Sequence, residues 1–348
     1  MMYQITSTLR RFFGMGDHRQ PESAGQSGRN MASVLRGARR LSAQSGLLLA
    51  LVLLFVVLAV IAPNFLTTRN VLNVLRQVAF VGIIACGMTF ALIGGDVDLS
   101  VGSVVALTSS LVAVLHVKAG WPLGLACVAT VIEATLVGLG AGLFGVTFRI
   151  PALIVTLALM LSLRGVAFVL TNAFPIPLSD PIFDFLGGGY ILGVPFPAIL
   201  FLLITALFWF ISTRTVYGRS LFAVGGNREA ARLSGIPVNR IRVSILGTTG
   251  FLASISGILL TSRLTSGYSG VGVGWEFDAI SAVLIGGTSL FGGEGSIVGT
   301  LLGVLFIGLL GNGMVLLGVN PYMQDVARGL VILLAVLVSA LQKPKQAT

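Results

Sequence analysis

The sequence predicts an all-α polytopic membrane protein of about ten transmembrane helices. Three observations carry that prediction. Of 348 residues, 55% are hydrophobic and only 10% are charged, whereas a soluble domain carries about 25% charged residues. Mean hydropathy is +0.98. The apolar residues also gather in runs near the ~20 residues that a spanning helix needs. These runs use so much of the chain that a soluble kinase, polymerase or dehydrogenase domain has no room beside them.

Residues 1–45 are polar and carry Arg10, Arg11, Arg19, Arg29, Arg36, Arg39 and Arg40 against only Asp17 and Glu22. Such a segment reads as a disordered basic cytoplasmic tail. The membrane domain is expected over 46–341, with a short cytoplasmic tail at 342–348. Its first run, Gly46 to Ala62, is longer than a typical signal-peptide core. It ends in Pro63-Asn64-Phe65 without a small-residue cleavage site, so it is expected to stay attached as the first span. The following runs are Val78 to Gly95, Val101 to Val117, Pro122 to Val146, Pro151 to Leu170, Val194 to Ile211 and Val243 to Thr261. Ala279 to Phe291, Ile297 to Val319 and Met323 to Leu341 complete the set. The run from Ala279 has 13 residues, below the roughly 17 a full span requires, and predicts a tilted or partial helix. Glycine recurs inside the runs, where small residues let helix backbones approach.

A net charge of +10 would suggest nucleic acid binding in a soluble protein; in a membrane protein its distribution matters more. Threading the spans with the amino terminus inside places 16 Lys and Arg in cytoplasmic segments and only Arg69, Arg76, Lys118 and Arg263 outside. Cytoplasmic loops collect basic residues, so both termini and the loop 213–242 are expected in the cytoplasm. Cys86 and Cys127 lie in apolar runs and suggest neither a disulfide framework nor a metal site. His18 and His116 are isolated. No catalytic residue, metal site or cofactor is expected, which leaves the membrane-enzyme class nearly empty.

The most informative segment is the loop from Thr213 to Arg242, TRTVYGRSLFAVGGNREAARLSGIPVNRIR. Asn227 can cap a short helix with Glu229 in its first turn, and Gly235 and Pro237 end it. A second short turn, Val238 to Arg242, then leads to the next span. Composition alone admits a lipid-surface anchor, a solvated connector or a docking element. The order Glu229-Ala230-Ala231 with Gly235 four residues later resembles the EAA loop of ABC-transporter permeases.

Further stretches extend the likeness: GMTFALIGGDVDLSVGS (Gly87 to Ser103), RIPALIVTLALMLSLRG (Arg149 to Gly165) and YGRSLFAVGGNREAARLSGIPV (Tyr217 to Val238). GVGWEFDAISAVLIGGTSLFGGEGSIVGTLLG (Gly272 to Gly303) and NPYMQDVARGLVILLAVLV (Asn320 to Val338) follow in order. From about Pro63 to Leu341 the chain resembles permease subunits of the ribose, xylose and arabinose class of bacterial ABC importers. The resemblance implies the permease fold of that class in a bacterial inner membrane. It also implies three partners: a cytoplasmic ATPase with two nucleotide-binding domains, a periplasmic sugar-binding protein and a second permease subunit, expected to be an identical chain. The absence of a GxxxxGK[ST] phosphate loop fits ATP chemistry on a partner, so the chain itself is not expected to be an enzyme. Its cargo would be a monosaccharide or related polyol, with a nucleoside or other small polar solute as the alternative. A secondary transporter would need no coupling loop.

The resemblance assigns coupling to Gly225, Gly226, Asn227, Glu229, Ala230, Ala231, Ser234, Gly235 and Pro237. It also singles out Asp98 and Ser100 as a helix turn or gate, in preference to Asp96. Asp98 can cap the third span through backbone N–H groups near Ser100 and Val101; contact with cargo and a hinge role stay open. Arg164 and Arg328 are intramembrane cations, with Glu133 and Asp325 as the expected counter-charges. Neutral sugars are bound by amides and hydroxyls, which makes Thr89, Ser103, Thr156 and Asn312 the expected pathway residues.

Overall fold

The computed structural model describes residues 45–341, so the tails expected at either terminus lie outside the described residues. In chain order the helices are α1 (Ser45–Ile61), α2 (Thr68–Ile93), α3 (Val101–Ala113), α4 (Leu123–Thr147) and α5 (Ala152–Thr171). There follow α6 (Pro181–Gly188), α7 (Phe196–Arg214), α8 (Val216–Gly226), α9 (Arg228–Leu233) and α10 (Val238–Leu264). The last three are α11 (Trp275–Ile285), α12 (Ile297–Leu316) and α13 (Pro321–Leu341). Each predicted run falls on one of them. Among the described residues seven helices are long and apolar enough to cross a membrane, α3 reaching that length through a π-helical extension, Val114–Lys118.

Three boundaries differ from the sequence expectation, each for a physical reason. α2 starts ten residues before Val78 because Thr67 caps it, its hydroxyl accepting from Asn70 N, and Asn70 and Arg76 find partners in neighbouring elements. α10 starts at Val238, so the separate turn expected at Val238 to Arg242 is the first turn of the span itself. The short run from Ala279 becomes an 11-residue helix that starts earlier, at Trp275. Hydropathy misses its first turn because Glu276 and Asp278 sit there.

The middle of the bundle is built on α2 and α10. α10 buries 72% of its most apolar stretch, whereas α4 and α5 bury 22% of theirs and turn the remainder outward. α4 lies directly on α10 because glycines remove the side chains between them. A Cβ at Gly142 would stand 2.7 Å from Val243 Cα, and Gly138 meets the backbone of Leu246. With no hydrophobic drive between helices in lipid, such close contact supplies van der Waals attraction. Hydroxyl clasps add to it: Ser256 Oγ donates to Phe80 O at 2.8 Å, joining α10 to α2.

Two extended stretches enter the bundle. After α2, residues 94–100 carry no helix, and Asp96 meets Arg242 while Asp98 accepts a hydrogen bond from Thr249. Thr249 lies seven residues further along α10 than Arg242, about 10 Å at 1.5 Å per residue. α3 therefore begins well inside the bundle. From the other end, residues 265–274 return inward after α10, with Ser269 fully buried, until Gly272 packs on Gly102 and Val105. Arg164 Nη1 holds that stretch by donating to Ser269 O and Val271 O at 3.0 and 2.5 Å. α11 starts from there, with Trp275 stacked on Phe80 midway along α2. Besides the short helices α8, α9 and α11, the elements outside the long helices are α6, capped by Asp180, and two short pairings, Ile176–Pro177 with Ser266–Gly267 and Tyr190–Ile191 with Val194–Pro195.

Candidate functional site

At the end of the bundle where α2 finishes, three pieces of chain meet with almost no side chains between them. Gly225, near the end of α8, lies against Ile93 O, and its Cβ would stand 2.6 Å from Gly293 N. Gly293 N donates to Ile93 O at 2.8 Å, and Gly292 and Gly293 take positive φ of 87° and 76°. Only glycine adopts that conformation without strain. The tips of the turns after α2 and α11 are thus fastened directly to α8.

Asp96 secures the same junction by charge. Its carboxylate is 5% exposed and accepts from Arg242 Nε at 2.8 Å and Nη2 at 2.9 Å, and from Arg228 Nη2 at 3.0 Å. Arg228 Nη2 also donates to Gly95 O at 2.7 Å. One carboxylate therefore ties the turn after α2 to the first residue of α9 and to the first turns of α10. A bidentate, charge-assisted pair fixes orientation as well as distance. The sequence reading preferred Asp98 and overlooked Arg228 and Arg242. The signal available was the excess of arginine over acid in the loop 213–242, which leaves cations in search of a carboxylate elsewhere in the chain.

α9 forms as its cap predicts. Asn227 Oδ1 accepts from Glu229 N and Ala230 N, both at 3.0 Å. Ala231 turns inward at 4% exposure, while Glu229, Ala230, Ser234, Gly235 and Pro237 face outward and Leu233 is 82% exposed. Gly235 ends the helix at φ 78°, with nothing within 4 Å of where a Cβ would point. Gly226 is likewise open. The result is a short helix with an exposed leucine and an open glycine end, mounted on the Asp96 junction. Beneath it the Tyr217 hydroxyl and Ser244 Oγ are 2.9 Å apart, and burial pushes the Tyr217 phenol above its usual pKa.

Deeper in, Asp98 accepts from Ser100 N at 2.9 Å, from Ser100 Oγ at 2.6 Å and from Thr249 Oγ1. Ser100 occupies the N-cap position of α3 without a capping side-chain bond of its own. Among the expected pathway residues, Thr89 bonds Thr300 at 2.7 Å, Ser103 donates to Met160 O at 2.7 Å and Thr156 accepts from Leu99 N at 3.1 Å. All three are buried between helices. Asn312 exchanges side-chain hydrogen bonds with Asn70 at 3.0 and 2.9 Å and borders a cavity. The structure does not bring these four residues together.

That cavity, about 450 Å³, lies between α2, α10, α11, α12 and α13. Polar groups from several helices border it, including Asn73, Gln77 and Gln324. Arg328 lines it too and pairs with Asp325 at 3.3 Å, as expected, and with Asp278 at 3.5 Å, which the sequence reading missed. Glu133, expected as a counter-charge, instead lies among Ala129, Ile132, Leu136 and Val137, and its buried Oε2 has no hydrogen-bond partner among the described residues. Arg164 Nη1 donates to two backbone carbonyls and not to either of the expected acids. Among the described residues no three His, Cys, Asp or Glu side chains are grouped to hold a metal ion.

Residues 70–336 match the family described as branched-chain amino acid transport system / permease component. The chain is 46% identical over 297 residues to a probable ABC transporter permease protein, YphD, of Escherichia coli K12, covering 85% of this chain and 89% of that one. It is 44% identical over 294 residues to the ribose import permease RbsC of Bacillus subtilis, covering 84% and 91%. Identity to the L-arabinose ABC transporter permease AraH of Azospirillum brasilense is 40% over 301 residues, covering 86% and 88%. The permease resemblance read from the motifs is upheld by these relatives.

Proposed function

From a chain that belongs to this family of transport-system permease components, we propose a membrane-spanning subunit of an ATP-driven importer for a monosaccharide or related polyol. The solute arrives on a periplasmic binding protein, and a cytoplasmic ATPase with two nucleotide-binding domains drives the cycle. Two identical permease chains form the complete path across a bacterial inner membrane, with both termini and α9 in the cytoplasm. The membrane domain is 46–341, preceded by a basic tail. The relatives named for ribose and arabinose support a sugar as cargo over a nucleoside.

The observation that carries this reading is α9 itself. It is exposed at Leu233 and open at Gly235, yet anchored through Arg228 to Asp96. A helix that docks in a partner's cleft needs small residues on its outer face and a stiff root. Ala230, Ser234 and Gly235 supply the face, and Pro237, Asn227 and the Asp96 junction supply the root. A push on α9 then displaces the start of α10 and the turn after α2 together. Asp98 and Ser100 sit one step deeper on that same extended stretch and act as its hinge or gate.

Gly235→Trp tests this. In proteoliposomes holding permease, ATPase and loaded binding protein, the variant is expected to remain inserted but to lose stimulated ATP hydrolysis. Because Gly235 lies at positive φ, Gly235→Asn, which tolerates that conformation, serves as the control and retains coupling. Normal coupling by Gly235→Trp, with normal ATPase retention, would remove α9 from the mechanism.

A further inference from the structure

The cavity between α2, α10, α11, α12 and α13 has a depth and a chemistry that the junction does not. Asn73 and Gln77 lie three to seven residues before Phe80 on α2, a rise of about 5 to 10 Å. Phe80 is midway along α2 and stacks on Trp275, ring centroids 6.3 Å apart and planes within 10°. The cavity therefore runs from the end of the protein that bears Arg76 and Arg263 down to mid-depth, where the half-length helix α11 begins. Asp278, one turn further along α11, pairs with Arg328 across that inner end. Its volume of about 450 Å³ falls within the roughly 300–1,000 Å³ of small-ligand sites.

Its bonding capacity matches one class of ligand. Asn312 and Asn70 bind each other, and Gln324 donates to Val319 O at 3.0 Å. Arg76 donates to Asn73 Oδ1 at 3.4 Å and to Gly188 O at 3.5 Å, Arg328 pairs with both Asp278 and Asp325, and Arg263 is exposed. Gln77 is different: it borders the cavity, is exposed, and its amide makes no hydrogen bond among the described residues. An amide offers two donors and two acceptor lone pairs, the pattern a vicinal pair of hydroxyls satisfies. The paired aromatic rings of Trp275 and Phe80 offer an apolar floor beside it. In secondary transporters, helices interrupted near mid-depth frame the solute site, and the start of α11 offers a comparable break here.

We infer that this cavity is the intramembrane binding site for the solute, a neutral polyhydroxy compound of monosaccharide size, with Gln77 as its hydrogen-bonding residue and Trp275 as its floor. The inference rests on the importer reading and adds the place where the cargo halts. It also replaces the buried hydroxyls of Thr89, Ser103 and Thr156 as the contacts that cargo makes.

The test uses the native host lacking this gene, complemented by the wild-type chain or by variants, and measures uptake of radiolabelled ribose, xylose, arabinose, galactose and inositol, with leucine alongside. Gln77→Trp, which fills the cavity from an exposed position, is expected to abolish uptake of the sugar that the wild type carries. Gln77→Ala lowers its initial rate about fivefold, the loss of one hydrogen bond, and changes the ranking among the sugars. Membrane abundance and copurification of the ATPase, measured for each variant, establish that assembly is intact. Wild-type-rate uptake by assembled Gln77→Trp would overturn the site and leave the importer reading standing. Uptake of leucine and of no sugar by the wild type would overturn the sugar reading and, with it, the ligand named here.

Discussion

The two ends of the bundle are built to opposite rules. At the Asp96 end, carboxylate, guanidinium and glycine backbone are joined by hydrogen bonds of 2.7–3.0 Å, and the turns after α2 and α11 and the helix α8 share one seam. At the Gln77 end, five helices stand far enough apart to leave a cavity, and an amide at its border has no partner among the described residues. The difference teaches where motion and where recognition can reside. A bonded junction transmits displacement because its parts cannot shift separately. A cavity can take a solute where a polar group at its border, here Gln77, is not already satisfied by the protein.

The largest effect should come from breaking the tight end. Asp96→Ala leaves Arg242, itself 14% exposed, without its carboxylate, and removing one member of a buried pair costs about 3–5 kcal/mol. The expected outcome is a lower melting temperature in detergent and loss of uptake. Near-normal melting would show that the junction is not a rigid element.

A smaller effect follows one step inward. Asp98→Ala strands the donors of Ser100 and Thr249, a loss of about 1–3 kcal/mol for an unsatisfied buried group, and transport should fall with it. Asp98→Asn retains an acceptor for Ser100 and should be milder. Equal inactivity of the two variants at equal expression would mean that the negative charge itself is required.

Much of this architecture could be read from the chain because it is local. Apolar runs marked ten of the thirteen described helices, and Asn227 announced α9 through a cap whose partners are two and three residues away, while the short α6 and α8 carried no such signal. The junction was not legible, because Asp96 meets its arginines across 132 and 146 residues of chain. Nothing in a run such as Val101 to Val117 says that its helix starts about 10 Å inside the bundle. That depth is set by what the preceding extended stretch can bond to on α10. The pathway hydroxyls were chosen by residue type alone, and type does not distinguish a clasp between helices from a group that faces a cavity. Asp278 was missed because an acid in a short apolar run reads as a boundary.

The smallest effect sharpens the comparison. Arg228 is 42% exposed, so its ion pair with Asp96 contributes at most about 1 kcal/mol. Arg228→Ala should hardly move the melting temperature, yet it disconnects α9 from the turn after α2. The expected signature is a lower ratio of solute moved to ATP hydrolysed at unchanged stability. An unchanged ratio would assign coupling to the glycine seam alone.

Opposite duties require that the two ends face opposite sides of the membrane, and labelling of single cysteines tests that most directly. Leu233 on α9 is 82% exposed and Leu192, in the turn between Tyr190–Ile191 and Val194–Pro195, is 99% exposed. Each would be changed to Cys in a chain whose Cys86 and Cys127 are replaced by Ser, and intact cells treated with a membrane-impermeant thiol reagent. The account predicts that Leu192→Cys is labelled in intact cells and Leu233→Cys only after permeabilisation. Labelling of Leu233→Cys in intact cells would contradict it.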